Sequence, residues 1–206
     1  MANPAQSSAS MVDAHRHGIL LLLGATLAWS TSGLFARAIP LDTPTVILWR
    51  GLAGAAGLFL TLWWLKGAEG FRDFRRLGWA GWAYSLSSGL GMLLFVGSLK
   101  ATSIAHVAII YATLPFVAAF LGWWLLKEPP GRAGILAAAL ALVGAMVMVG
   151  LGGDGTLIGD LMAFGMVLAM AGLILIGRGS PDTPTLAAGT LSAIWAPLAM
   201  IPFASL

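Results

Sequence analysis

The sequence predicts an all-α membrane protein of seven transmembrane helices, and three observations carry that prediction. Hydrophobic residues make up 59% of the 206 and charged residues only 9%, with a mean hydropathy of +0.90. An ordinary soluble domain is about one-quarter charged. Seven apolar stretches each come close to or exceed the roughly 20 residues needed to cross a bilayer core. Lys and Arg, finally, are unevenly shared between alternate connections. Eleven basic and eight acidic side chains cannot cover a globular surface in water. A soluble enzyme, a DNA-binding domain and a disordered chain are therefore excluded. The isoelectric point near 9.8 reflects topology rather than a nucleic-acid partner. With no cysteine, disulfides, thiolate metal sites and cysteine nucleophiles are excluded as well.

Residues 1–17 form a polar tail, expected to be mobile. The seven segments follow as Gly18–Ile39, Thr45–Leu65, Leu77–Leu99, Thr102–Leu126, Ala133–Leu151, Leu157–Ile176 and Thr185–Leu206. The first is longer than a signal-peptide core of about 7–15 apolar residues, so it reads as a retained span. Thr43-Pro44 suits a helix N-cap followed by proline at the first helical position. Pro115 removes a backbone donor in mid-segment and predicts a kink. Glu128-Pro129-Pro130-Gly131 ends the fourth segment, and Asp154 and Asp160 bracket the start of the sixth, where carboxylates favour a helix N-terminus.

Orientation follows from the cations. With the N-terminus inside, the inner segments carry Arg16, Lys66, Arg72, Arg75, Arg76, Lys127, Arg132 and Arg178. The outer segments carry only Arg37 and Lys100. This asymmetry predicts a multi-pass protein of the cytoplasmic (inner) membrane, embedded in the lipid bilayer with its N-terminus inside.

The chain also repeats itself. Asp42-Thr43-Pro44-Thr45 recurs as Asp182-Thr183-Pro184-Thr185, and Gly18 and Arg37 correspond to Gly159 and Arg178. Residues 18–151 read as a first five-helix repeat and 157–206 as the first two helices of a second. Five is odd, so the second copy enters the membrane from the opposite side. Inverted duplication of this kind is typical of secondary transporters.

Several stretches resemble the EamA-type family of the drug/metabolite transporter superfamily. They are Ala101-Thr102-Ser103, Ala105, Leu114-Pro115-Phe116-Val117 and Leu126-Lys127-Glu128-Pro129, then the small-residue helix ending Gly144…Gly150, with Trp29 and Arg50 upstream. The resemblance implies ten helices in two inverted halves around a central substrate cavity, working by alternating access. Relative to that plan the chain is truncated: it stops after two helices of the second half. It is expected to be either a fragment or a shortened protein acting as a homo-oligomer. The implied function is secondary transport of a small-molecule substrate, a small polar metabolite such as an amino acid or a related compound, in the export direction. The alternative is a truncated, non-transporting membrane subunit that packs with a partner as a scaffold. An intramembrane enzyme finds no support, because the sequence holds no catalytic constellation.

Ionisable residues inside a membrane point first to function. Arg50 offers a planar fork to a substrate carboxylate or phosphate, or else snorkels to outer headgroups. His106, on one helix face with Ile109, Ile110 and Thr113, bonds substrate or joins two helices. The uncharged candidates for substrate contact are Trp29 and Ser32 in the first segment, Tyr84 and Ser88 in the third and Tyr111 in the fourth. Ser30, Ser87, Thr113 and Trp195 lie nearby in the same segments or in the seventh. Interfacial anchoring or interhelical hydrogen bonding would account for such residues equally. Trp63, Trp64, Trp79, Trp82, Trp123 and Trp124 lie near segment ends and are assigned to membrane-interface belts. Pro115 is the expected hinge. Ala53 and Gly57, and Gly134, Ala138, Ala141 and Ala145, form small-residue faces suited to helix packing. No span carries Asp or Glu at its middle, no zinc, serine-hydrolase or phosphate-loop motif occurs, and His15 and His17 alone would under-ligate a metal. No cofactor, metal or catalytic residue is expected.

Overall fold

A computed structural model describes residues 16, 18–28, 30–31, 34, 38–149 and 155–204. It divides into two compact units, Met1–Ile39 and Pro40–Leu206. In the first, α1 (Gly18–Ala28) is a short apolar helix. The hydroxyls of Thr26, Ser30 and Thr31 donate to the carbonyls of Leu22, Leu27 and Ala28. Asp154, Arg37 and nearly all of the predicted tail lie outside the described residues.

The second unit is α2 (Thr43–Lys66), α3 (Gly70–Arg75), α4 (Gly78–Ala101), α5 (Ile104–Ala112), α6 (Leu114–Leu121), α7 (Arg132–Val149), α8 (Leu157–Gly179) and α9 (Thr185–Leu198). All regular structure among the described residues is helical. Five helical stretches are long and apolar enough to cross a membrane: Thr43–Arg75, Gly78–Ala101, Ile104–Leu126, Leu157–Gly179 and Thr185–Phe203. Gly18–Ala28 and Arg132–Gly144, within the first and fifth predicted segments, are shorter apolar helices.

Four boundaries differ from expectation, each for a local reason. The N-cap of α2 is Asp42, not Thr43: its carboxylate accepts the Thr45 N–H at 3.1 Å and the Thr45 hydroxyl at 2.7 Å. Asp42→Ala is expected to cost about 1 kcal/mol of stability, read as a lower thermal unfolding midpoint. Helical structure continues past Leu65, through a turn at Gly67 (φ 55°), into α3, where Lys66 pairs with Asp73 at 2.5 Å. The fourth segment is not one α-helix. It breaks at Thr113, just before Leu114-Pro115, and ends in a π-turn over Gly122–Leu126, closed by Lys127 at φ 60°. The seventh segment stops at Leu198, one residue after Pro197, and only a 3₁₀ turn, Ile201–Phe203, follows.

Helix α8 lies antiparallel on α4. A methyl group added at Gly91 would meet Met170 Cε at 3.2 Å, one at Gly97 would meet Met162 Sδ at 3.1 Å, and one at Gly165 would meet Leu94 at 3.0 Å. These glycines allow the backbones to approach, as small residues do between membrane helices. Helix α9 packs against both α2 and α4. Its start joins Leu77 and Phe74, and its end, at Pro197, fills the space beside Gly51 of α2. The small-residue faces named from sequence are not the main seams of this unit. Ala53, Gly57, Gly134 and Ala141 are exposed; Ala138 is buried, and Ala145 falls outside the described side chains. Spacing marks a face on which a helix can pack; the partner it finds depends on distant residues.

The six tryptophans assigned to interface belts are all exposed. Three contacts join helix ends that are distant in sequence. Lys100 Nζ donates to the carbonyl of Leu41 at 3.2 Å, Thr102 reaches Asp160, and Arg178 faces Glu128.

Candidate functional site

Three places in the second unit bring side chains of different helices together, apart from the charged cluster of Lys66, Glu69, Arg72, Asp73 and Arg76 around α3. The first is where α4, α5 and α8 meet. Helix α4 ends at Thr102, whose side chain is buried, and Ser103 caps α5 by accepting the His106 N–H at 3.1 Å. Thr156 caps α8 by accepting the Gly159 N–H at 3.2 Å. The Thr102 hydroxyl donates to Asp160 Oδ1 at 2.8 Å and accepts the Thr156 N–H at 3.1 Å. The Thr156 hydroxyl donates in turn to the carbonyl of Ala101 at 2.5 Å. His106 Nδ1 lies 3.0 and 3.1 Å from the two Asp160 oxygens, with both side chains about one-quarter to one-third exposed. The backbone of Gly155 passes directly against the imidazole ring.

The second place is the seam between α4 and α9. Trp195 Nε1 donates to Ser85 Oγ at 3.2 Å, with its indole lying flush on Gly89. Ser192 Oγ contacts Ser88 Oγ at 2.8 Å and donates to the carbonyl of Gly189. Tyr84, half-buried, packs against Leu77, Ala187 and Ala188. Nearby in α2, Arg50 is an exposed residue whose guanidinium lies 5.4 Å from the centre of the Phe95 ring of α4. That is cation–π range.

The third is a half-open cavity of about 450 Å³ between α6, α7 and α8. Small ligands occupy spaces of roughly 300–1,000 Å³. Its walls are apolar, and its mouth holds Glu128 and Arg178, 3.9 Å apart. Pro115 lines it. Arg50, Tyr84, Ser88, His106 and Tyr111 do not.

The residues predicted from sequence are thus distributed. Ser88 and Tyr84 stand on the α4–α9 seam, His106 in the junction of α4, α5 and α8, Arg50 over Phe95, and Tyr111 is partly exposed on α5. Trp29 and Ser32 lie outside the described residues. Asp160 was legible only as a helix-start carboxylate, and Ser85, Ser192 and Phe95 were not singled out. Among the described residues, no group of three or more His, Asp or Glu could hold a metal ion. Every buried side-chain nitrogen or oxygen among them has a hydrogen-bond partner.

The sequence profile of the EamA-like transporter family matches residues 16–150, more than half of the chain. Neither a curated protein nor a solved structure matches it. The matched stretch contains the capped start of α2, the α4–α5 junction with Thr102 and His106, and the Pro115 break. It also contains the connection Lys127–Arg132, while the partner residues on α8 and α9 lie beyond it. The chain belongs to the EamA-like transporter family.

Proposed function

We propose that the protein is a secondary transporter that moves small polar metabolites, amino acids or related compounds, out of the cell by alternating access. In this reading its N-terminus faces the cytoplasm and the spans form a five-helix repeat followed by the start of an inverted copy. The observation that carries the reading is the antiparallel packing of α2 on α9, the helices that each follow a copy of Asp-Thr-Pro-Thr. Gly51, early in α2, meets Pro197, late in α9, while Phe74, just past α2, joins Ala187 and Ala188 at the start of α9. Two copies inserted from opposite sides would pack in this way. Arg50 of α2, held on Phe95 of α4, supplies a fixed cation for a substrate carboxylate. Tyr84 and Ser88, on the α4–α9 seam, supply aromatic and hydrogen-bonding contacts. Pro115, at the break in the fourth segment, is the bending point.

Proteoliposomes loaded with labelled amino acids test this. Efflux should exceed that of protein-free vesicles. Arg50→Ala should slow it about tenfold, the effect of losing one charged hydrogen bond worth about 1.5 kcal/mol, at an unchanged amount of folded protein. Efflux equal to that of empty vesicles would remove the transport reading and leave the scaffold. That second reading is favoured by the apolar side chains that α6 and α7 leave uncovered, among them Phe120, Leu136, Leu140 and Val143.

A further inference from the structure

The cavity between α6, α7 and α8 is poorly suited to a polar solute, because only its mouth is charged. Leu114, Phe116, Ala119, Ile135 and Ile174 wall its interior. At the mouth, Arg178 and Glu128 are 57% and 60% exposed and stand 3.9 Å apart. A committed charge-assisted hydrogen bond closes to about 2.7–2.9 Å. The guanidinium is therefore only loosely held by its carboxylate. Arg178 and Glu128 are the charged residues that line the cleft, and Lys127 and Arg132 lie on either side of Glu128 in the same short connection. A loosely paired arginine at the mouth, beside a connection that is basic on balance, is complementary over an apolar cleft to an anionic lipid head with its chain attached.

We propose that this cleft binds an anionic phospholipid, whose phosphate takes Arg178 from Glu128 while an acyl chain lies between α6 and α7. Glu128 is then a competitor for the site and not a ligand of the lipid. The two members of one ion pair should accordingly act in opposite directions, which a purely structural pair would not do. The site requires only that these helices cross a membrane; it does not depend on the substrate or on the direction of transport.

The test is native mass spectrometry of the full chain released from nanodiscs of equal parts phosphatidylethanolamine and phosphatidylglycerol, scoring retained phosphatidylglycerol. Arg178→Gln is expected to lower retention about fivefold, the factor for one basic residue at an anionic surface. Glu128→Gln should raise it, a gain that misfolding cannot mimic. Gly134→Leu fills open space on the α7 wall and should lower retention with every charge intact. A fall in retention with Glu128→Gln would overturn the proposal in favour of a zwitterionic head. Unchanged retention with Gly134→Leu would reduce the site to surface adsorption. Displacement by soluble glycerol phosphate would assign it to free phosphate, and no retention by the unsubstituted chain would leave the cleft to protein.

Discussion

Gly159→Ala should be among the most damaging single-methyl changes in this protein. The added carbon would lie 2.5 Å from Thr102 Cβ, 2.7 Å from the Thr102 nitrogen and 2.8 Å from the Ala101 carbonyl carbon. Two of those atoms are backbone at the end of α4, so no rotamer change relieves the contact. Overpacking typically costs about 1–3 kcal/mol, and a rigid neighbour places this case at the upper end. The same change at Gly57, with nothing within 4 Å, is the matched control. Thermal unfolding in detergent should show a clear loss for Gly159→Ala and none for Gly57→Ala. Equal midpoints would mean that α8 does not approach α4 as closely as described.

The second large effect is expected at Asp160. Asp160→Ala deprives the buried Thr102 hydroxyl of its acceptor and His106 of its carboxylate contact. Leaving buried polar groups unsatisfied costs about 1–3 kcal/mol. Asp160→Asn keeps an acceptor for Thr102 but loses the charge, so its effect should be intermediate. A double-mutant cycle with His106→Ala isolates the pair: coupling of about 0.6–1.7 kcal/mol is expected from hydrogen bonds measured in membrane proteins. Coupling near zero would show that His106 and Asp160 are neighbours without an energetic link.

Five of the seven expected transmembrane stretches were legible because apolar length is a property of contiguous residues; in the first and fifth, the described helices are shorter. Capping was legible to within one residue: Thr43-Pro44 signalled a helix start, but the longer reach of Asp42 to Thr45 took the cap. The repeated tetrapeptide shows the limit of such signals. Its second copy starts α9 only at Thr185, with Pro184 before it and no side-chain cap, although the four residues are identical. Pro115 announced the break in the fourth segment, whereas nothing local announced the π-turn after it. The polar junctions were least legible. His106 and Asp160 are 54 residues apart, and Ser85 and Trp195 are 110 apart. Spacing on one helix cannot reveal a partner on another. The glycines of α4 and α8 illustrate the same limit: they interleave across two helices whose pairing no local pattern encodes.

The order in which these partners leave the ribosome follows from the same separations. Helix α4 emerges well before α8, since Gly91 must wait for Met170, and Ser85 waits longer still for Trp195. At about 5–20 residues per second, the nearly 80 intervening residues take about 4–16 s to synthesise. Throughout that interval the glycine-lined flank of α4 faces lipid or the insertion machinery instead of its final neighbour. The excursion through α5, α6 and α7 is thus also a delay, during which a nascent α4 can pair with the wrong helix.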